Sequence, residues 1–170
     1  MRSIYLTLIL TVVLPVLFLS GGCRRRHKPG EVASTIFASD PNVASHFTSG
    51  FYDTEAGAWR WTAKQFAVTL NPPLHSAERG AHLVVHLVVP DPVIQNSQFV
   101  ELSCSVGGLK LAPQTFAKAG SYTYERDIPA DKLQGSDVRI DFAVDHTLPP
   151  TGPDIRQLGI IVSQVGIVAK

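Results

Sequence analysis

Cysteine, charge and long helical periodicity are all scarce in this chain of 170 residues. It contains two cysteines, Cys23 and Cys104, and only 17% of its residues are charged. Two cysteines this far apart provide neither a disulfide framework nor the clustered ligands of a zinc site. Beyond the N-terminal apolar run, apolar residues do not recur at helical spacing over several turns. The sequence therefore argues against a disulfide-stapled domain, a zinc module and a helical bundle.

Signatures of catalysis are missing as well. There is no G-x-S-x-G turn and no glycine-rich phosphate loop. Cys104 lies within an alternating apolar pattern over 100–106, where a buried and unreactive thiol is expected. His82 and His86 lie on a predicted strand, where four residues span about 13 Å, too far to share a metal ion. We therefore expect no catalytic residue, no metal and no cofactor.

The charge of the chain is distributed unevenly. Residues 1–33 carry a net charge of +4 and residues 34–170 a net charge of −3. The mildly acidic larger part has no basic stripe, so a nucleic-acid partner is not expected. The basic block 24–28 directly follows the apolar run, where anionic lipid headgroups are its natural partners.

The N-terminal 23 residues have the profile of a secretion signal or a membrane anchor. Ser3 to Gly22 is free of charge, and the small residues 20–22 precede Cys23. This end resembles the processing site of bacterial lipoproteins, which implies lipidation of Cys23. The alternative is a retained single span, since 20 uncharged residues can cross a bilayer. In that case the basic block favours a cytoplasmic C-terminal side. Both alternatives predict a membrane partner, and an exported chain would reside in the cell envelope, on its periplasmic or outer surface.

The remaining chain predicts a linker over 24–34 and an all-β domain over 35–170. Apolar and polar residues alternate in about eight segments separated by Gly and Pro turns, which is typical of an antiparallel β-sandwich. Segment 81–89 is apolar on both faces and is expected to be a central strand. Only 129–133 is predicted as a helical turn. The predicted strands are 46–52, 59–62 running into 65–70, 81–89, 99–106, 109–116, 121–128, 138–144 and 158–168.

Several short motifs recur along the predicted strands and the loops between them. They are Gly50-Phe51-Tyr52-Asp53-x-Glu55, Trp59-Arg60-Trp61-Thr62, Ile128-Pro129, Val138-x-Ile140-x-Phe142 and Pro153-Asp154-x-Arg156-x-Leu158-Gly159-Ile160. Together they resemble the jelly-roll β-sandwich of carbohydrate-binding modules and related galactose-binding-like domains. The resemblance covers 45–170 and implies a jelly-roll fold and contact with carbohydrate.

The candidate ligand-binding residues are Trp59, Arg60 and Trp61, with Asp53 and Glu55 nearby. Alternation places both tryptophans on one face of a strand and Arg60 on the other. Indole rings stack on the apolar faces of sugars, and an arginine beside carboxylates can bind hydroxyls. The alternative is that one indole fills the core and Arg60 pairs with a surface carboxylate.

Asp154 and Arg156 are two residues apart in the loop before the last strand, and we expect them to pin that loop as an ion pair. Two functions follow for the domain as a whole. The first is a non-catalytic binding module that contacts polysaccharide. The second is an assembly protein that docks on another envelope protein through an exposed apolar patch, without binding sugar.

Overall fold

The computed structural model describes residues 33–170. The predictions for the apolar segment, for Cys23 and for most of the linker therefore lie outside the described residues. The described part contains nine β-strands, two short α-helices and two 3₁₀ helices. The strands are β1 (Thr35–Phe37), β2 (Phe47–Glu55), β3 (Trp59–Leu70), β4 (Ala81–Val89), β5 (Val100–Val106), β6 (Leu109–Phe116), β7 (Gly120–Ile128), β8 (Val138–Val144) and β9 (Ile161–Ala169). The helices are α1 (Ser76–Arg79) and α2 (Asp91–Ser97), and the 3₁₀ helices are Pro41–His46 and Ala130–Lys132.

All eight predicted strands are present, and the mostly antiparallel architecture of the described residues matches a β-sandwich. The prediction of a single helical turn is wrong, because α1, α2 and Pro41–His46 are also helical. The two α-helices have only 4 and 7 residues, too few to display a helical repeat in the sequence. Strand β1 escaped prediction for the same reason, since three residues show no alternation.

Two strand groups form the halves of the sandwich, and β3 belongs to both. Residues Gln65–Leu70 of β3 pair with β8, which continues through β5 to β6. Residues Arg60 and Trp61 of the same strand pair with β9, which continues through β4 to β7. Strand β4 is hydrogen-bonded on both sides, as its two apolar faces predicted. The outer strands β1 and β2 pair with β9 and β3.

One hydrophobic core lies between the halves. Strand β8 shows the pattern: Ile140 and Phe142 are buried, whereas Arg139 and Asp141 face solvent. The Phe142 ring stacks on the Phe66 ring with centroids 5.0 Å apart. Alternation predicted these faces because an antiparallel sheet with one solvated face buries every second residue.

The open edges of the halves, β6 and β7, are joined by side chains. Buried Tyr124 on β7 donates from its hydroxyl to the Ala112 carbonyl on β6 at 2.9 Å. Arg126 donates to the same carbonyl at 2.6 Å and to the Pro113 carbonyl at 2.9 Å, and its guanidinium lies over the Tyr124 ring. These bonds use carbonyls of an edge strand that would otherwise face water.

The ends of the sandwich differ in what they contain. At one end the chain enters at Ala33, whose carbonyl accepts from Asn71 N, and Lys170 lies beside α1. At the other end lie the hairpin between β2 and β3 and the loop that leads into β9. Within residues 33–170, no helix combines the length and apolar character needed to traverse a bilayer.

Candidate functional site

The two candidate tryptophans share the outward face at the start of β3. Trp59 is opposite Glu55 on β2, and Trp61 is opposite Ile161 on β9. Both side chains are partly buried, so neither fills the core and neither is fully exposed. The indole Nε1 of Trp59 is buried without an acceptor among the described residues. Because both side chains are only partly buried, each indole leaves part of its surface to solvent.

Arg60 lies on the opposite face of β3, together with Thr62, which is buried in the core. Its guanidinium lies 4.9 Å from the Phe47 ring centroid and donates to the Tyr52 carbonyl at 3.0 Å. Among the described residues its contacts are thus a carbonyl and an aromatic ring, and neither Asp53 nor Glu55. A role of Arg60 in ligand binding stays a prediction.

The arginine that does meet Glu55 is Arg156. Its Nη1 donates to Glu55 Oε1 at 2.7 Å, and its Nη2 donates to Asp154 Oδ2 at 2.8 Å. The guanidinium also lies 5.4 Å from the Tyr52 ring centroid. Hydrogen bonds from the side chain and backbone of Arg156 lower the pKa of Asp154 to about 2. The expected Asp154–Arg156 contact is thus present in the structure, with Glu55 as a third member.

The loop that carries this cluster is held against β2. The Tyr52 hydroxyl donates to the Gln157 carbonyl at 3.0 Å and lies 3.2 Å from Gln157 N, from which it accepts. Register shifts in β2 near Tyr52 mark a bulge, and Asp53 beside it is exposed. The structure therefore brings Glu55, Trp59 and the Asp154–Arg156 loop to one end of the hairpin, and leaves Asp53 in solvent.

Beyond the tryptophans, the same outward surface continues across β9, β4 and β7. Cross-strand pairing aligns Trp61 with Ile161, Val88 and Ser121, which spans about 14 Å. A second row aligns Phe37, Gln164, His86 and Thr123. We call this surface the aromatic face, defined by Phe37, Trp59, Trp61, His86 and Gln164.

The aromatic face combines rings with polar groups. Phe37 is 48% exposed, so its ring is available to a ligand. His86 Nδ1 lies 3.3 Å from Thr123 Oγ1, within hydrogen-bonding distance. A shallow depression of about 360 Å³ lies beside His86 and Thr123 and is also lined by Ser121 and Ser163. Sequence reasoning missed Phe37 and His86 as site residues. Cross-strand register brings them to Trp61, and a single sequence carries no signal of that register.

No family model and no curated protein matches this sequence. Several solved structures resemble it, and carbohydrate-binding modules are among them. One of the similar solved structures is a family GH115 4-O-methyl-α-glucuronidase with specificity for decorated arabinogalactans. The TM-score is 0.52 at 9% identity, and the match covers 82% of this chain and 18% of that chain. This chain therefore corresponds to less than a fifth of the glucuronidase.

A second is the module TmCBM27, described by its specific mannan recognition, with a TM-score of 0.48 at 11% identity over 82% of this chain and 97% of that chain. A third is a CBM4 module, with a TM-score of 0.39 at 13% identity over 80% of this chain and 85% of that chain. At 9% identity the resemblance to the glucuronidase concerns the fold alone.

Proposed function

We propose that this protein is a non-catalytic carbohydrate-binding module that holds polysaccharide on its aromatic face. The observation that carries the proposal is the placement of Phe37, Trp59 and Trp61, all partly exposed, on one outward surface. An aromatic ring presents an apolar plane to the C–H face of a sugar. Polar side chains beside the rings, His86, Gln164 and Thr123, supply the donors and acceptors that sugar hydroxyls require.

The Arg156 cluster supports the same surface from its end. Arg156 bonded to both Glu55 and Asp154 fixes the loop beside Trp59, and a ligand meeting an ordered edge loses less entropy on binding. Asp53 is exposed nearby and is proposed to accept from a sugar hydroxyl at the hairpin. Arg60 is proposed to position the hairpin through Tyr52 and Phe47, without touching the ligand.

Docking on an envelope protein through an apolar patch is the competing function. Five large apolar side chains of the described part are exposed, and three of them lie far apart. Ile155 lies in the loop before β9, Leu74 lies at the opposite end, and Phe99 lies beyond α2. The other two, Phe37 and Val168, lie on β1 and β9. Apolar residues scattered singly are ordinary features of soluble surfaces. The structure therefore favours the carbohydrate-binding function over apolar docking.

Three further points belong to the proposal. The sandwich is a jelly roll, which the strand orders β3-β8-β5-β6 and β9-β4-β7 support. The chain is tethered to a membrane of the cell envelope, which the apolar segment before Cys23 supports. Cys23 is lipidated, and mass spectrometry of the mature N-terminus tests this: a chain that retains Met1 contradicts it.

Affinity electrophoresis through gels containing mannan, arabinogalactan or xylan tests the binding function. We expect retardation in at least one gel, and we expect Trp61→Ala to weaken binding roughly tenfold through loss of stacking. Phe99→Ala removes an exposed ring away from the aromatic face and should leave binding unchanged. Equal retardation of wild type and Trp61→Ala would exclude the aromatic face as the binding surface.

A further inference from the structure

The outer surface of the other half carries a second recess. Three shallow depressions, of about 300, 300 and 450 Å³, adjoin there, and Asp141 lines all three. Arg139 and Ala143 each line two of them, so the depressions form one continuous surface. We call it the serine trough, defined by Ser49, Gln65, Ser103, Ser105, Asp141 and Ala143.

Small side chains form the floor of the serine trough. In the strand register Ser103 is opposite Ala143, and Ala143 is opposite Gln65. In the neighbouring row Ser105 is opposite Asp141. β-Strands in general are enriched in β-branched and aromatic residues, and serine and alanine give little cross-strand packing. Here they lower the middle of the sheet surface, so that a ligand can lie close to the backbone.

Longer polar side chains rise around this floor. Arg139 Nε donates to Asp141 Oδ1 at 2.8 Å, and both side chains are about half exposed. Lys110 borders the trough on the β6 side, and Gln65 borders it on β3. A guanidinium, a carboxylate, an amide, an ammonium and serine hydroxyls provide donors and acceptors along the recess. Phe66 and Phe142 also line it, but their rings stack on each other in the core.

The geometry restricts the kind of ligand. The middle of a sheet has its backbone groups in the strand ladder, so an extended peptide finds no free edge to pair with. Side chains must therefore make the contacts, and a polyhydroxylated ligand best matches their donors and acceptors. From β6 to β2 the surface spans four strand spacings, about 19 Å, the length of a short oligosaccharide.

We infer that the serine trough is a second carbohydrate-binding surface, which takes a linear oligosaccharide through hydrogen bonds without aromatic stacking. The inference rests on the proposed carbohydrate-binding function and adds a site on the opposite half of the sandwich. With one site on each outer surface, a single domain bridges two glycan strands, and a multivalent polysaccharide is held more tightly than either site alone allows.

Titration calorimetry of the full chain with mannan and arabinogalactan oligosaccharides tests the inference by stoichiometry. We expect two sites per wild-type chain. Trp61→Ala should weaken one of them roughly tenfold, and Ala143→Trp, whose indole fills the trough floor, should leave one. Ala117→Trp adds an indole at an exposed position outside both surfaces and should keep two sites. Asp141→Asn keeps the shape of the trough and should weaken one site about tenfold, which covers the case in which Ala143→Trp does not fold.

The outcomes separate the two proposals. A single site that is weakened or lost in Trp61→Ala and unchanged in Ala143→Trp and Asp141→Asn overturns the serine trough and retains the aromatic face. A single site that is weakened or lost in the trough variants and unchanged in Trp61→Ala retains the trough and overturns the aromatic face. Absence of binding to every oligosaccharide overturns both.

Discussion

Arg156 Nη1 and Glu55 Oε1 are 2.7 Å apart although 101 positions separate the two residues in the chain. This contact ties the loop before β9 to the end of β2, and Asp154 completes it from the same loop. All three side chains are about one-third exposed, so the ion pairs orient the loop more than they stabilise the fold.

The Asp154 carboxylate gives the domain an acid-sensitive contact. Its pKa is lowered to about 2 in the folded state by hydrogen bonds from Arg156, against an ordinary value near 3.8. A lowered pKa stabilises the fold above the unfolded-state value, and this stabilisation disappears as the pH falls through the folded-state value. We expect Asp154→Asn to lower the Tm by roughly 1–3 °C at pH 6 and by less as the pH falls towards 2, where half of the folded-state carboxylate is protonated. Exposed Asp53→Asn is the control, and a Tm difference for Asp154→Asn that is as large at pH 2 as at pH 6 would contradict this account.

Tyr124 joins the two halves at the β6–β7 edge. Tyr124→Phe removes the hydroxyl that donates to the Ala112 carbonyl, and Arg126 continues to donate to that carbonyl. Because no buried acceptor is left unpaired, we expect a loss of about 1 kcal/mol in the free energy of unfolding. Urea denaturation measures it. Tyr122→Phe removes an exposed hydrogen bond to the Lys118 carbonyl and should cost less. Equal losses in the two variants would mean that the hydrogen bond between the β6 and β7 edges stabilises the fold no more than an exposed one does.

Gly50 is required by the close approach of β2 to β3. Its φ is +68°, and a Cβ there would lie 1.9 Å from the Gln65 carbonyl oxygen. Gly50→Ala must displace backbone, so we expect a loss above about 2 kcal/mol or failure to fold. Gly57 in the hairpin has φ +63° with open space around it. Gly57→Ala should therefore lose only about 1–2 kcal/mol, the cost of the left-handed backbone alone. Denaturant unfolding measures both losses, and a larger loss in Gly57→Ala than in Gly50→Ala would contradict this packing.

The Cys104 thiol is shielded in the core beneath the trough. Burial, with a contribution from the Asp141 charge, raises its pKa to about 12. Thiols react as thiolates, so Cys104 should resist a disulfide reagent at pH 8 and react only after unfolding in urea. Because the chain also contains Cys23, the labelling of Cys104 is obtained by subtracting the labelling of the Cys104→Ala variant from that of the wild type. Rapid labelling of the folded chain would show that the trough opens to the core.

Local alternation made most of the strands predictable, and contacts between distant segments were not. The buried and exposed residues of β8 follow from the sequence because every second residue faces the core. The pairing of Glu55 with Arg156 depends on how a long loop returns to β2, and a single sequence does not specify that return. The aromatic face likewise needed the register that sets Trp61 beside Ile161 on β9. The sequence grouped Arg60 with Asp53 and Glu55 because they are near one another in the chain, whereas in the structure its guanidinium contacts the Phe47 ring and the Tyr52 carbonyl.

Strand β1 lies between the proposed membrane tether and the aromatic face. It has three residues, and only Ile36 among them is fully buried, so we expect it to detach first under mechanical load. Its release would free residues 33–40 and lengthen the proposed linker by up to about 28 Å. The same event would carry Phe37 away from the aromatic face. If the proposed tether and glycan binding hold, a force on the N-terminal side would extend the reach of the domain and weaken its hold on a bound polysaccharide in a single step.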